Sequence, residues 1–143
     1  MRKWCSPLVP FPRIPIDDEP GAFGAFRKHD RHTGVDLYCE DEANVYAIDA
    51  GTVVAGEPFT GPKAGTDFWE DTDGIMIESP VGVIGYGELT PIVKVGEKVE
   101  AGKLIGKVKR VLKEGKERPD IPGHSLSMLH LEWYAPGTKE FVV

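Results

Sequence analysis

An all-β fold, a β-sandwich or partly closed barrel in a single domain, is predicted by three features of this sequence. Apolar residues come in short runs rich in valine and isoleucine, each bounded by glycine or proline. No segment of ten or more residues carries a convincing apolar period of 3.6, which argues against long helices. Asp49-Ala50-Gly51 and Ser79-Pro80-Val81-Gly82 stand between neighbouring runs and have the composition of turns. A sandwich or partly closed barrel is punctuated in this way.

The elements follow in chain order. Residues 1–22 hold Pro7, Pro10, Pro12, Pro15 and Pro20. Each ring removes a backbone donor and disfavours helix for the residue before it. This stretch is expected to be an extended arm laid across the domain, anchored by Phe11, Ile14 and Ile16, with the β domain proper over 23–143. Strands are expected at 44–48, 51–55, 74–78, 82–86, 103–111 and 127–134. Residues 57–73 and 113–124 read as long loops, and loops of that length in a small domain are usually functional. If both border one site, they form the walls of a groove.

Composition narrows the function classes. With 143 residues, 41% apolar and 28% charged, the chain can bury a real core without staples. A net charge of −6 argues against a nucleic-acid backbone or an anionic membrane as partner. The first residues, Met1-Arg2-Lys3-Trp4-Cys5, lack the apolar stretch of a signal peptide, and no run approaches a membrane span. A cytoplasmic location is the default expectation. Cys5 and Cys39 are too few for a disulfide framework, and reduced thiols are the simpler expectation.

The chemistry gathers in two segments. His32, Gly34 and Asp36, within His32-Thr33-Gly34-Val35-Asp36, share a face if the chain is extended there. Gly34 would leave the space between the two polar side chains empty. The same parity puts Met128, His130, Glu132 and Tyr134 on one face, with Leu129, Leu131 and Trp133 turned to the core. Two imidazoles and one carboxylate suit a single Zn2+ ion with an open corner, the layout of a catalytic metal. His32, Asp36 and His130 are therefore the candidate ligands.

These segments resemble the signature motifs of the lysostaphin-type, or LytM-like, zinc metallopeptidases. Tyr86-Gly87-Glu88-Leu89 is similar to that family's tyrosine-glycine-histidine-leucine segment, and residues 93–106 resemble the hairpin that follows it. The likeness runs in the family's order over about residues 30–135. It implies a fold of the duplicated hybrid motif type, one zinc ion held by His32, Asp36 and His130, and peptide or peptidoglycan-fragment substrates. Two positions depart from the pattern. Glu88 stands where the family has a histidine, and Met128 stands two residues before the last ligand, where a second histidine is usual.

The substitutions differ in consequence. A methionine thioether cannot act as a base or donate to an oxyanion. Glu88 is a workable general base beside a metal, or a fourth ligand that would close the site. The sequence leaves both open, and with them two functions: an atypical zinc hydrolase of peptide bonds, or a catalytically degenerate zinc-binding domain that binds peptides or regulates. Glu132 is either a reasonable acceptor for a ligand imidazole or a strand glutamate facing water. Tyr86 either lines the groove or is packed. His124 is a loop histidine within reach of the missing imidazole's place, or a solvated one. His29, in Arg27-Lys28-His29-Asp30-Arg31, reads as a surface residue. A biotinyl or lipoyl carrier, which shares the 93–106 pattern, needs a modifiable lysine at a hairpin tip that is not found. A sugar phosphocarrier needs a second facing histidine.

Overall fold

The computed structural model describes residues 3–25 and 32–141. His29 and its charged neighbours lie outside the described residues. Among the described residues eight strands form in chain order: β1 Val35–Tyr38, β2 Asn44–Tyr46, β3 Gly51–Thr60, β4 Thr72–Ser79, β5 Gly82–Pro91, β6 Lys98–Val99, β7 Leu104–Val108 and β8 Met128–Tyr134. One short 3-10 turn, Pro62–Ala64, is the only helical element among the described residues. None of the described helices is long and apolar enough to cross a membrane.

Every strand pairing is antiparallel. The main path runs β1-β8-β5-β4-β3-β6, and β7 leaves it from the far end of β5 to pair with β2. The sheet thus forks along β5. Its first half is flanked by β4 and β8, while Leu89, Thr90 and Pro91 pair with β7. The main core draws on both branches: Leu37, Val53, Ile75, Tyr86 and Leu129 from the main path, Val45, Ile105 and Val108 from the other. Alternation then decides the opposite face. Asp36, His130 and Gly87, cross-strand partners on three adjacent strands, stand together on the side away from this core.

Several expectations are corrected by the packing. β3 continues through Glu57-Pro58-Phe59-Thr60, a stretch whose composition reads as loop. Beyond Thr52 this strand pairs only with β4, and proline is tolerated on such an edge because its missing donor faces no partner. The arm is not anchored by Phe11, Ile14 and Ile16, which are 51%, 54% and 55% exposed. Leu8 enters the main core instead, and the Tyr46 N–H donates to the Pro7 carbonyl. Trp133 does not reach the core either. It stands 56% exposed, with the Trp4 ring edge-on at 6.2 Å.

Tyr86 takes the packed alternative. It is fully buried on the core face, and its hydroxyl accepts the Ile48 N–H at 2.9 Å. It lines no groove. Cys5 and Cys39 are both free thiols. Burial, and secondarily the charge of Glu88, pushes the Cys39 thiol up to about 12.

Two outcomes are expected. Tyr86→Phe leaves a part-buried backbone donor without its acceptor and should cost about 1–2 kcal/mol in urea unfolding, with the fold retained. Cys39 should be alkylated by iodoacetamide slowly at pH 8, its rate rising roughly tenfold per pH unit toward pH 11, as thiolate reactivity requires.

Candidate metal centre

The site is built where β1 and β8 run side by side. Asp36 on β1 is the direct cross-strand partner of His130 on β8. His32 lies just before β1, where the chain is not yet paired as strand, and turns its ring inward to the same point. Gly34 makes this possible, though not by leaving an empty space. A Cβ there would meet the Leu131 carbonyl oxygen at 2.3 Å, and Glu132 Cγ and His130 Nε2 at 2.8 Å. The missing side chain lets β8 come close enough to bring its histidine against Asp36.

Three donor atoms form a tight triangle. His130 Nδ1 is 2.9 Å from Asp36 Oδ1, His32 Nε2 is 3.1 Å from the same oxygen, and the two ring nitrogens are 3.1 Å apart. All three residues are buried, at 2%, 1% and 4% exposure for His32, Asp36 and His130. They form a group whose ligand atoms lie within 4.8 Å of one another.

The other ring nitrogens fix what these atoms are. His32 Nδ1 is 2.9 Å from the Ala22 carbonyl, which can only accept, so Nδ1 carries the proton and Nε2 presents a lone pair. His130 Nε2 is 2.6 Å from the Glu132 carboxylate, which assigns its proton in the same way. Glu132 is itself held by the Tyr134 hydroxyl and by Thr33 Oγ1. Neutral imidazoles so arranged would turn two lone pairs and a carboxylate oxygen toward one point with no donor among them. Such a cluster requires a cation.

Without a metal, a proton supplies it. Burial alone would lower the affinity of His130 for a proton, but hydrogen bonds to Asp36 and Glu132 outweigh it and push the imidazole up to about 10. Burial likewise opposes the charge on Asp36, yet the hydrogen bond from protonated His130, with His32 beside it, holds its carboxyl below the usual range. A divalent ion fits the same place. Ligand atoms on a tetrahedral zinc with bonds of about 2.0–2.1 Å are roughly 3.3 Å apart, close to the spacing here. The remaining nitrogens are bonded to a carbonyl and a carboxylate, the usual partners of metal-binding histidines.

Glu88 sits at a bulge of β5, where the register against β4 shifts between Asp73 and Ile75. Its backbone is left-handed, at φ 67°, an uncommon state for a residue with a side chain. Bulges of this kind re-aim a side chain. The residue is buried, and its charge reaches both His130 and Cys39. Its carboxylate is not part of the close group made by His32, Asp36 and His130.

Met128 offers no polar function. It is buried in a small apolar cluster with Tyr38 and Val111, flanked by Trp69 and Leu112. The two long loops therefore meet each other there. The Glu70 N–H donates to the Val111 carbonyl, and Lys113 Nζ lies 2.6 Å from Glu70. His124 stacks on Tyr38 at 4.6 Å between ring centroids, and its Nδ1 accepts the Arg118 N–H. It is outside the triangle, and burial, followed by the charge of Arg118, lowers its proton affinity.

Sequence reasoning missed two groups around the triangle. The Phe59 ring lies 5.1 Å from the His130 ring and fills the place of a Gly87 side chain. The Ala22 carbonyl orients His32. A backbone carbonyl carries no residue signature. Phe59 lies in a stretch whose composition reads as loop, and register shifts of β3 between Val53 and Ala55 and between Pro58 and Thr60 break the alternation that would have assigned its face.

Gly34→Ala should force β8 away from β1. The expected result is a loss of about 1–3 kcal/mol in stability, typical of overpacking, together with reduced zinc uptake by equilibrium dialysis.

Among solved structures, a Pseudomonas aeruginosa protein assigned to peptidase M23 matches over 94% of this chain and 45% of its own, at 15% identity and a TM-score of 0.56. Csd3 of Helicobacter pylori matches over 91% of this chain and 29% of its own, at 22% identity and a TM-score of 0.53. The chain thus spans less than half of either protein, and at these identities the likeness is one of fold. No curated protein matches significantly. The model of peptidase family M23 matches residues 30–138, a span that takes in His32, Asp36, Glu88 and His130, and the chain belongs to that family.

Proposed function

We propose that this M23-family domain is a zinc-dependent hydrolase of peptide bonds with slow turnover, acting on peptides of the peptidoglycan type. His32 Nε2, Asp36 Oδ1 and His130 Nδ1 would hold the ion. When bound, zinc supplies a Lewis acid and lowers the pKa of water. Glu132 keeps the His130 ring in register, with Thr33 and Tyr134 fixing its carboxylate. Glu88 is the group suited to take a proton from the attacking water, since carboxylates serve as bases beside metals elsewhere. Met128 contributes no hydrogen bond to a developing oxyanion, and the absence of one such donor typically costs on the order of 100-fold in rate. Slow turnover follows from that.

The observation that carries the reading is the triangle of acceptors 2.9–3.1 Å apart, beside a further buried carboxylate whose charge reaches His130. A second reading is favoured by the apolar cluster around Met128 and by the Phe59 ring over His130. In it the domain keeps zinc and binds a peptide without cleaving it.

Three measurements separate the two. Purified protein should hold about one zinc per chain and cleave peptidoglycan fragments or oligoglycine peptides. Glu88→Gln should lower kcat by roughly 100-fold or more while zinc content stays the same. Full zinc loading without cleavage, in the parent and in a Glu88→His, Met128→His double variant alike, would establish the binder.

A further inference from the structure

We propose that residues 21–25 act as a positioning clamp on the metal centre, so that its grip on a divalent cation depends on this stretch as well as on the ligands. The inference rests on the metal reading above and extends it to a segment that carries no ligand. Two of the three candidate ligands hang on these five residues. The Asp36 N–H donates to the Gly21 carbonyl, His32 Nδ1–H to the Ala22 carbonyl and the His32 N–H to the Ala25 carbonyl, each at 2.9 Å. The Gly24 N–H returns a bond to the His32 carbonyl at 2.9 Å.

The residue types suit the task. At Gly21 a Cβ would meet the Tyr38 hydroxyl oxygen at 2.7 Å and its ring at 3.0 Å, so glycine lets the chain pass flat against β1. Ala22 and Ala25 are small and buried. Farther back, Leu8 is sunk in the core, and Arg13 bridges Glu19 at 2.9 Å. The Glu19 carboxylate also accepts the Ile16 N–H at 2.7 Å. The stretch is thus held from behind and grips from the front.

The consequence is chemical. With the Ala22 carbonyl in place, the His32 proton is confined to Nδ1 and the Nε2 lone pair is aimed at the cation before it arrives. Without it the ring turns about its own axis, either nitrogen carries the proton, and the cation must select the correct state on binding. Loss of such an outer partner typically weakens metal affinity 10–100-fold.

The test compares zinc affinity, by competition with a chromogenic chelator, and the visible spectrum of the Co2+-substituted protein. Gly21→Ala displaces the stretch. An ester in place of the Ala22–Phe23 peptide bond leaves every side chain intact and makes the Ala22 carbonyl a weaker acceptor. Ile14→Ser, on the exposed part of the same arm, is the control. Zinc affinity should fall 10–100-fold in Gly21→Ala and about tenfold in the ester, with altered Co2+ bands in both and none in the control. Parental affinity and spectrum in both variants overturn the clamp while leaving the metal reading intact, as does a lowered melting temperature alone. Should Gly21→Ala not fold, the ester decides. A parent that takes up neither zinc nor cobalt overturns the metal reading, and the clamp with it.

Discussion

The structure of this site depends on how closely β8 approaches the chain around β1. Gly34 has the Leu131 carbonyl oxygen where its side chain would be, and that proximity sets Asp36 opposite His130 with 2.9 Å between their polar atoms. A buried carboxylate and two buried imidazoles are costly to desolvate unless they satisfy one another or a cation. Here they do so as a unit. Each imidazole spends one nitrogen on a fixed acceptor and the other on the common point.

The two faces of the sheet divide the labour. Tyr86, Leu129 and Ile75 fill the core side, and Asp36, His130, Glu132 and the Gly87 backbone make up the other. A single-residue slip between β1 and β8 would exchange the two sets, so burial of the core is also what holds the candidate ligands in place. The candidate ligands are held by this register, by the Glu132 carboxylate behind His130 and by the Ala22 carbonyl behind His32.

His32, Asp36 and His130 stand where the family resemblance implies metal ligands, and Met128 and Glu88 stand where it implies histidines. At Met128 the change is one of packing: Tyr38, Val111, Trp69 and Leu112 close around the thioether, and the two long loops are drawn together above it. At Glu88 it is one of charge, a carboxylate set at a left-handed bulge near His130. An apolar cluster at one position and an anion at the other differ in kind from the two histidines that the resemblance implies.

What could be read in the sequence was what repeats locally. Period-two alternation gave β8 its polar and apolar faces, glycine and proline marked the turns, and His32-Thr33-Gly34-Val35-Asp36 and Leu129-His130-Leu131 named the three candidate ligands. Alternation is a property of a single strand, so it survives without knowledge of neighbours. The close approach at Gly34, the extension of β3 past Pro58, the Phe59 ring on His130 and the Ala22 carbonyl behind His32 were settled by tertiary structure. Each depends on which strands become neighbours and how near they come. Pairing of residues nearly a hundred positions apart is decided by the whole core at once, and a backbone carbonyl bears no mark of its role in the residue that carries it.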